Sequence, residues 1–183
     1  MILENQRNVF KIRDKLNYTA FTYALERGDI APIKAFLDSG VVKINAGQGP
    51  DRMAPLTWAA AQGQYELCEW LLENKARTLS KDKFKRTPLM LAIANGHVKV
   101  ASLLLKHGSE WNHLDSSSNS VLHYAAGFGW SECIDLLLKH GANVNAPNMW
   151  KVTPITIAML KNHQGIVKKL LQREDIDVNG KDD

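Results

Sequence analysis

Apolar residues fall in paired short runs along the chain. Leu89–Ile93 are uninterrupted, the run halts at Asn95-Gly96, and a second run carries Val98, Val100, Ala101, Leu103, Leu104 and Leu105 before Gly108. A polar, turn-rich stretch from Ser109 to Asn119 follows, and the cycle restarts. Thr87 suits a helix N-cap, because its hydroxyl can accept an orphan backbone N–H. Pro88 suits the first helical position, where a missing N–H costs nothing. Leu89–Asn95 therefore predicts a short helix whose small alanines allow close packing on both sides. Gly96, free to take the left-handed conformation, ends it, and Gly108 ends the second helix in the same way.

The cycle has a fixed length. Ala54-Pro55-Leu56-Thr57-Trp58-Ala59, Thr87-Pro88-Leu89-Met90-Leu91-Ala92, Ser120-Val121-Leu122-His123-Tyr124-Ala125 and Thr153-Pro154-Ile155-Thr156-Ile157-Ala158 succeed one another at 33 residues. A looser copy, Thr19-Ala20-Phe21-Thr22-Tyr23-Ala24, stands 35 residues before the first. Helices of about seven to ten residues are unstable alone in water. Stacked pairs bury one another's apolar faces, so the pattern predicts a solenoid in which each unit depends on its neighbours.

The pattern resembles the ankyrin repeat. The T-P-L-H-x-A signature of that family is nearly complete in Thr87–Ala92, and further matches are Gly96-His97, Leu104-Leu105, Gly108 and Gly141-Ala142-Asn143-Val144-Asn145-Ala146. The resemblance covers about residues 14–181. It implies an all-α solenoid of about five helix-turn-helix units with protruding hairpin-like loops, or fingers. The expected units are 14–48, 49–81, 82–114, 115–147 and 148–181, after a capping segment at 1–13 that includes a helix over Ile2–Arg13. The apolar last copy and the finger-like Val178–Asp183, with residues 182–183 opening a sixth unit, suggest a piece of a longer protein.

Departures from the family pattern are informative. Where the family usually has glycine two residues before the cap, this chain has Asn17, Arg52, Lys85, Ser118 and Lys151, which predicts loops that still turn, with room for altered geometry. Lys75 replaces the glycine seen at Gly40, Gly108 and Gly141, so that helix end is expected to be strained or to terminate differently. Asn162 replaces an inner-helix terminator and is a mild change, since Asn tolerates the left-handed region.

Composition adds limits. The formal net charge is only +4, too little by itself to imply a nucleic-acid or membrane partner. The excess is local: Lys75, Arg77, Lys81, Lys83, Lys85 and Arg86 are broken by one acid, Asp82. No apolar stretch approaches the ~20 residues needed to span a bilayer. The N-terminus lacks the apolar core of a secretory signal. With two cysteines, Cys68 and Cys133, the chain reads as intracellular, the cytoplasm favoured over the nucleus. An intervening repeat separates the two thiols by more than the ~7 Å that a disulfide allows.

No phosphate-cradling glycine loop, dinucleotide fingerprint or HExxH is present, and the six histidines sit at positions the repeat explains. The expectation is no enzyme, no cofactor and no metal. His123 occupies the family's signature histidine position, which implies a local hydrogen-bonding role. Trp58, Trp70 and Trp111 read as packing residues.

What the repeat does not need for folding is what a partner can use. In the ankyrin family partners contact the fingers and the exposed ends of the inner helices. The fingers offer Met53, Phe84, Leu114, Met149 and Trp150, and the inner-helix ends offer Arg27, Gln62, Asn95, Phe128, Trp130 and Lys161. Arg52, Lys81, Lys83, Lys85, Arg86 and Lys151 supply charge. Phe84 and Trp150 occupy equivalent positions two repeats apart, and buried aromatic anchors are the usual origin of interface hot spots. The reading is an aromatic patch with a basic rim on a monomeric scaffold that holds another protein through apolar and acidic contacts. RNA or nucleotide binding at the same face is one alternative, since bases stack on aromatics between cations. A targeting arm of a larger multidomain enzyme is another.

Overall fold

A computed structural model describes residues 12–177. The expected capping helix, but for its last two residues, and the start of a sixth unit lie outside the described residues. Within them the chain forms ten helices: α1 (Ala20–Arg27), α2 (Ile30–Asp38), α3 (Pro55–Gln62), α4 (Tyr65–Glu73), α5 (Pro88–Ala94), α6 (Val98–Lys106), α7 (Val121–Phe128), α8 (Ser131–Lys139), α9 (Pro154–Leu160) and α10 (Gln164–Leu171). No strand forms among the described residues, and an isolated antiparallel bridge joins Gln48 to Met53.

The odd-numbered helices form an inner row, each packed on the next, and α4, α6 and α8 stack behind them. Small residues make the inner row possible: Ala59, Ala60, Ala92, Ala125, Ala126 and Ala158 are fully buried. Leu67, Leu71, Leu104, Ile134, Leu137 and Leu170 close the core from the outer row. Trp58 is buried, while Trp70 and Trp111 are half-buried against that core. At the end of the row Met159, Leu160 and Leu171 are exposed on α9 and α10.

The caps work as the sequence implied. Thr87 Oγ1 accepts from the Met90 amide at 3.3 Å, and Thr153 Oγ1 from Thr156 at 3.4 Å. In the fourth unit His123 Nδ1 accepts from the Ser120 amide at 3.1 Å, while its Nε2 donates to the Val152 carbonyl in the next unit at 3.0 Å.

The positions that depart from the family glycine keep a left-handed backbone. Asn17, Arg52, Lys85, Ser118 and Lys151 all adopt φ between 56° and 67°, so the turns keep the geometry that glycine would give them rather than altering it. Lys75 is left-handed at φ 65°, the strained helix end expected there, and Asn162 is left-handed at 58°. Arg52, Lys75, Lys85, Ser118 and Lys151 each carry strain of about 1 kcal/mol there, and Asn17 and Asn162 less.

A lateral stitch also emerges. Gln64, His97, Trp130 and His163 recur at 33 residues, just after the inner-helix terminator. Gln64 Nε2 donates to the Leu25 and Glu26 carbonyls, His97 Nε2 to Ala61, Trp130 Nε1 to Ala94 and His163 Nε2 to Gly127, all at 3.0–3.1 Å. Each bond satisfies a carbonyl at the end of the preceding inner helix, where helices leave acceptors open. The terminating glycine is required twice over. Gly96 sits at φ 74°, and a Cβ there would lie 3.0 Å from the Trp130 ring.

Candidate interaction ridge

Each regular finger is built around one side chain. Asp82 Oδ1 accepts from the amides of Phe84 (2.9 Å) and Arg86 (2.8 Å), and its own N–H donates to the Arg86 carbonyl. Asp115 does the same for Ser117 and Asn119, both at 2.8 Å, and Asn148 for Trp150 and Val152, both at 3.0 Å. Such a carbonyl or carboxylate oxygen folds the loop locally, as Asx turns do. The second finger has Gly49 at this position and closes instead through the Gln48–Met53 bridge. This cradle was legible as Asp82, Asp115 and Asn148 at 33-residue spacing, but in the sequence Asp82 reads only as a break in a basic run.

The fingers are also tied to one another. The Lys83 amide donates to Asp51 O at 2.9 Å, Ser116 to Phe84 O at 2.9 Å and Met149 to Ser117 O at 3.1 Å. Asn148 Nδ2 adds a bond to Asn119 Oδ1 at 2.9 Å. The tips therefore form a connected ridge rather than independent loops.

On that ridge Phe84 is 43% exposed, Met149 59% and Trp150 62%. Two cations lie over the Phe84 ring, Lys83 Nζ 4.9 Å and the Arg86 guanidinium 4.8 Å from its centroid. Both cations are themselves paired, Lys83 with Asp51 at 2.6 Å and Arg86 with the buried Asp82 at 2.7 Å. They orient the ring more than they advertise charge. The exposed Lys81 and Lys85 have no carboxylate partner among the described residues. Lys151 and Leu114 are exposed on the later fingers.

Other sequence candidates sit elsewhere. Met53 is half-buried against the core. Phe128 and Lys161 are exposed at the C-terminal ends of α7 and α9. An eight-residue helix such as α7 is about 12 Å long, so Phe128 stands a helix length from its own finger. Trp130 belongs to the lateral stitch, its ring held over Gly96, although 41% of it remains exposed. The aromatics thus divide into finger tips and helix ends.

Behind the ridge lies a half-buried polar network. The Tyr124 hydroxyl donates to Asp115 Oδ2 at 2.6 Å and Asn119 Nδ2 to the same oxygen at 3.1 Å. Burial works against the Asp115 charge, but these donors and the finger amides outweigh it and hold the carboxyl below its ordinary range. Burial, with Asp115 alongside, pushes the Tyr124 hydroxyl up. Burial also raises Cys68 to about 12 and, with Glu132 adding to it, Cys133 to about 11, so neither thiol is a nucleophile. Among the described residues no group of His, Cys, Asp and Glu is placed to hold a metal ion, and no helix is long and apolar enough to cross a membrane.

A sequence profile described as ankyrin repeats matches the chain in three copies, over residues 1–82, 44–115 and 107–182. The poly [ADP-ribose] polymerase tankyrase of Caenorhabditis elegans is 34% identical over 182 residues, 96% of this chain. The chain spans 8% of that protein's length.

Proposed function

The chain belongs to the ankyrin-repeat family, and we propose on that footing that it is a non-enzymatic recognition module whose finger ridge holds another protein. One observation carries this reading. Phe84 and Trp150 stand exposed at equivalent finger tips of a ridge already fixed by backbone hydrogen bonds. A preorganised surface loses little conformational freedom on binding, and exposed aromatic rings on it supply hot-spot area. Lys81 and Lys85, with no acidic partner among the described residues, favour a contact segment with acidic residues and speed its encounter. Phe84→Ala with Trp150→Ala weakens a partner captured by the native chain by at least ~2 kcal/mol, measured by calorimetry with the purified partner. Undiminished affinity in a correctly folded double variant overturns the assignment of the ridge.

A second reading is compatible with the first and is favoured by the tankyrase similarity. The array would serve as the recognition arm of a larger multidomain protein, delivering an enzyme to what the ridge holds.

A further inference from the structure

Between the second and third fingers lies a polar cleft of about 300 Å³, lined by Arg52, Arg77 and Lys81 together with Ser80, Asn45 and the backbone at Gly47. Three basic residues share its lining, all of them exposed and none with a carboxylate partner among the described residues. The acids on the flanking fingers are committed elsewhere, Asp51 to Lys83 and Asp82 to Arg86. The backbone that carries the two arginines is held. Arg52 is held at φ 56° in the closed second finger, whose packing is so tight that a Cβ on Gly47 would meet the Arg52 carbonyl at 2.5 Å. The Arg77 amide donates to Asn45 Oδ1 at 2.8 Å, fixing the backbone that carries the second guanidinium to the preceding unit.

Unpaired like charges brought together repel, and an anion relieves that repulsion. Two guanidinium forks and an ammonium match a tetrahedral dianion with several acceptor oxygens better than a single carboxylate. The cleft volume is at the lower end of ligand sites and ample for one phosphoryl group. We infer that this cleft is a phosphoryl-binding subsite that takes a phosphorylated serine or threonine of the partner. The inference rests on the partner being a protein. A nucleic acid needs a longer track of cations than the cleft and the small net charge supply.

The test titrates inorganic phosphate into the 183-residue chain at constant ionic strength and follows backbone amide resonances. Amides of Arg52, Arg77, Ser80 and Lys81 shift together along one saturating curve. Arg77→Gln with Lys81→Gln weakens binding at least tenfold, while Arg77→Lys with Lys81→Arg retains it and Lys139→Gln on α8 leaves it unchanged. A short peptide bearing one phosphoserine binds at least tenfold more tightly than the same peptide with glutamate. Shifts spread over every basic surface without saturation, or insensitivity to the Arg77/Lys81 double variant, overturn the site. Equal binding of the two peptides overturns the phosphoryl assignment. Tighter, steeply salt-dependent binding of a single-stranded RNA through the same residues overturns the protein source. Phosphate binding that persists in the Phe84/Trp150 double variant separates this subsite from the ridge, so either can fail alone.

Discussion

Replacing Asp115 tests whether the fingers are rigid because one side chain builds each of them. Its carboxylate accepts four hydrogen bonds: the Ser117 and Asn119 amides at 2.8 Å, Asn119 Nδ2 at 3.1 Å and the Tyr124 hydroxyl at 2.6 Å. Hydrogen bonds to a charged group contribute about 1.5–3 kcal/mol each when buried. Asp115 is half-buried, and freed loop amides can bind water, so the two backbone bonds count at about 1 kcal/mol apiece. With the loss at Tyr124, Asp115→Ala destabilises by about 2–3 kcal/mol. Asp115→Asn is milder, about 1 kcal/mol, because one amide oxygen can serve both backbone donors, as Asn148 does in the fifth unit. Urea unfolding followed by circular dichroism at pH 7 measures both. The carboxyl is held below its ordinary pKa in the fold, so the unfolded chain binds the proton more readily. The wild-type advantage over Asp115→Asn is accordingly complete above the unfolded carboxylate range and is lost as pH falls through the lower folded value. An Ala variant within ~0.5 kcal/mol of wild type, or an Asn variant as damaged as Ala, refutes the cradle as the source of finger rigidity.

Two further outcomes follow from the backbone and the core. Lys75→Gly relieves a strained left-handed residue and raises stability by about 0.5–1 kcal/mol, whereas Gly108→Ala at the equivalent helix end lowers it by about 1–2 kcal/mol. Thermal unfolding of the two variants reads the opposite signs. Cys68 and Cys133, fully buried with raised pKa values, stay unmodified by a thiol reagent at pH 8 in the native state and react in denaturant. Fast native modification of either would place that thiol at the surface.

The chain's own letters determined the repeat. Local physics is enough for that, because a threonine cap, a proline at the first helical position and a glycine terminator act within a few residues. Their recurrence at 33 then dictates stacking, since no single pair of short helices is stable alone. Phe84 and Trp150 were visible as rings with no place in the fold. Tertiary structure decided what each remaining side chain is for. Trp130 looks like an exposed anchor in sequence, and only the neighbouring inner helix, with its open Ala94 carbonyl, makes it a stitch. The basic run reads as one block of charge, yet Lys83 and Arg86 are paired while Arg77 and Lys81 line one cleft with Arg52 from the preceding finger. The Lys83–Asp51 pair and the shared cleft depend on distances between residues far apart in the chain, and composition carries no distances.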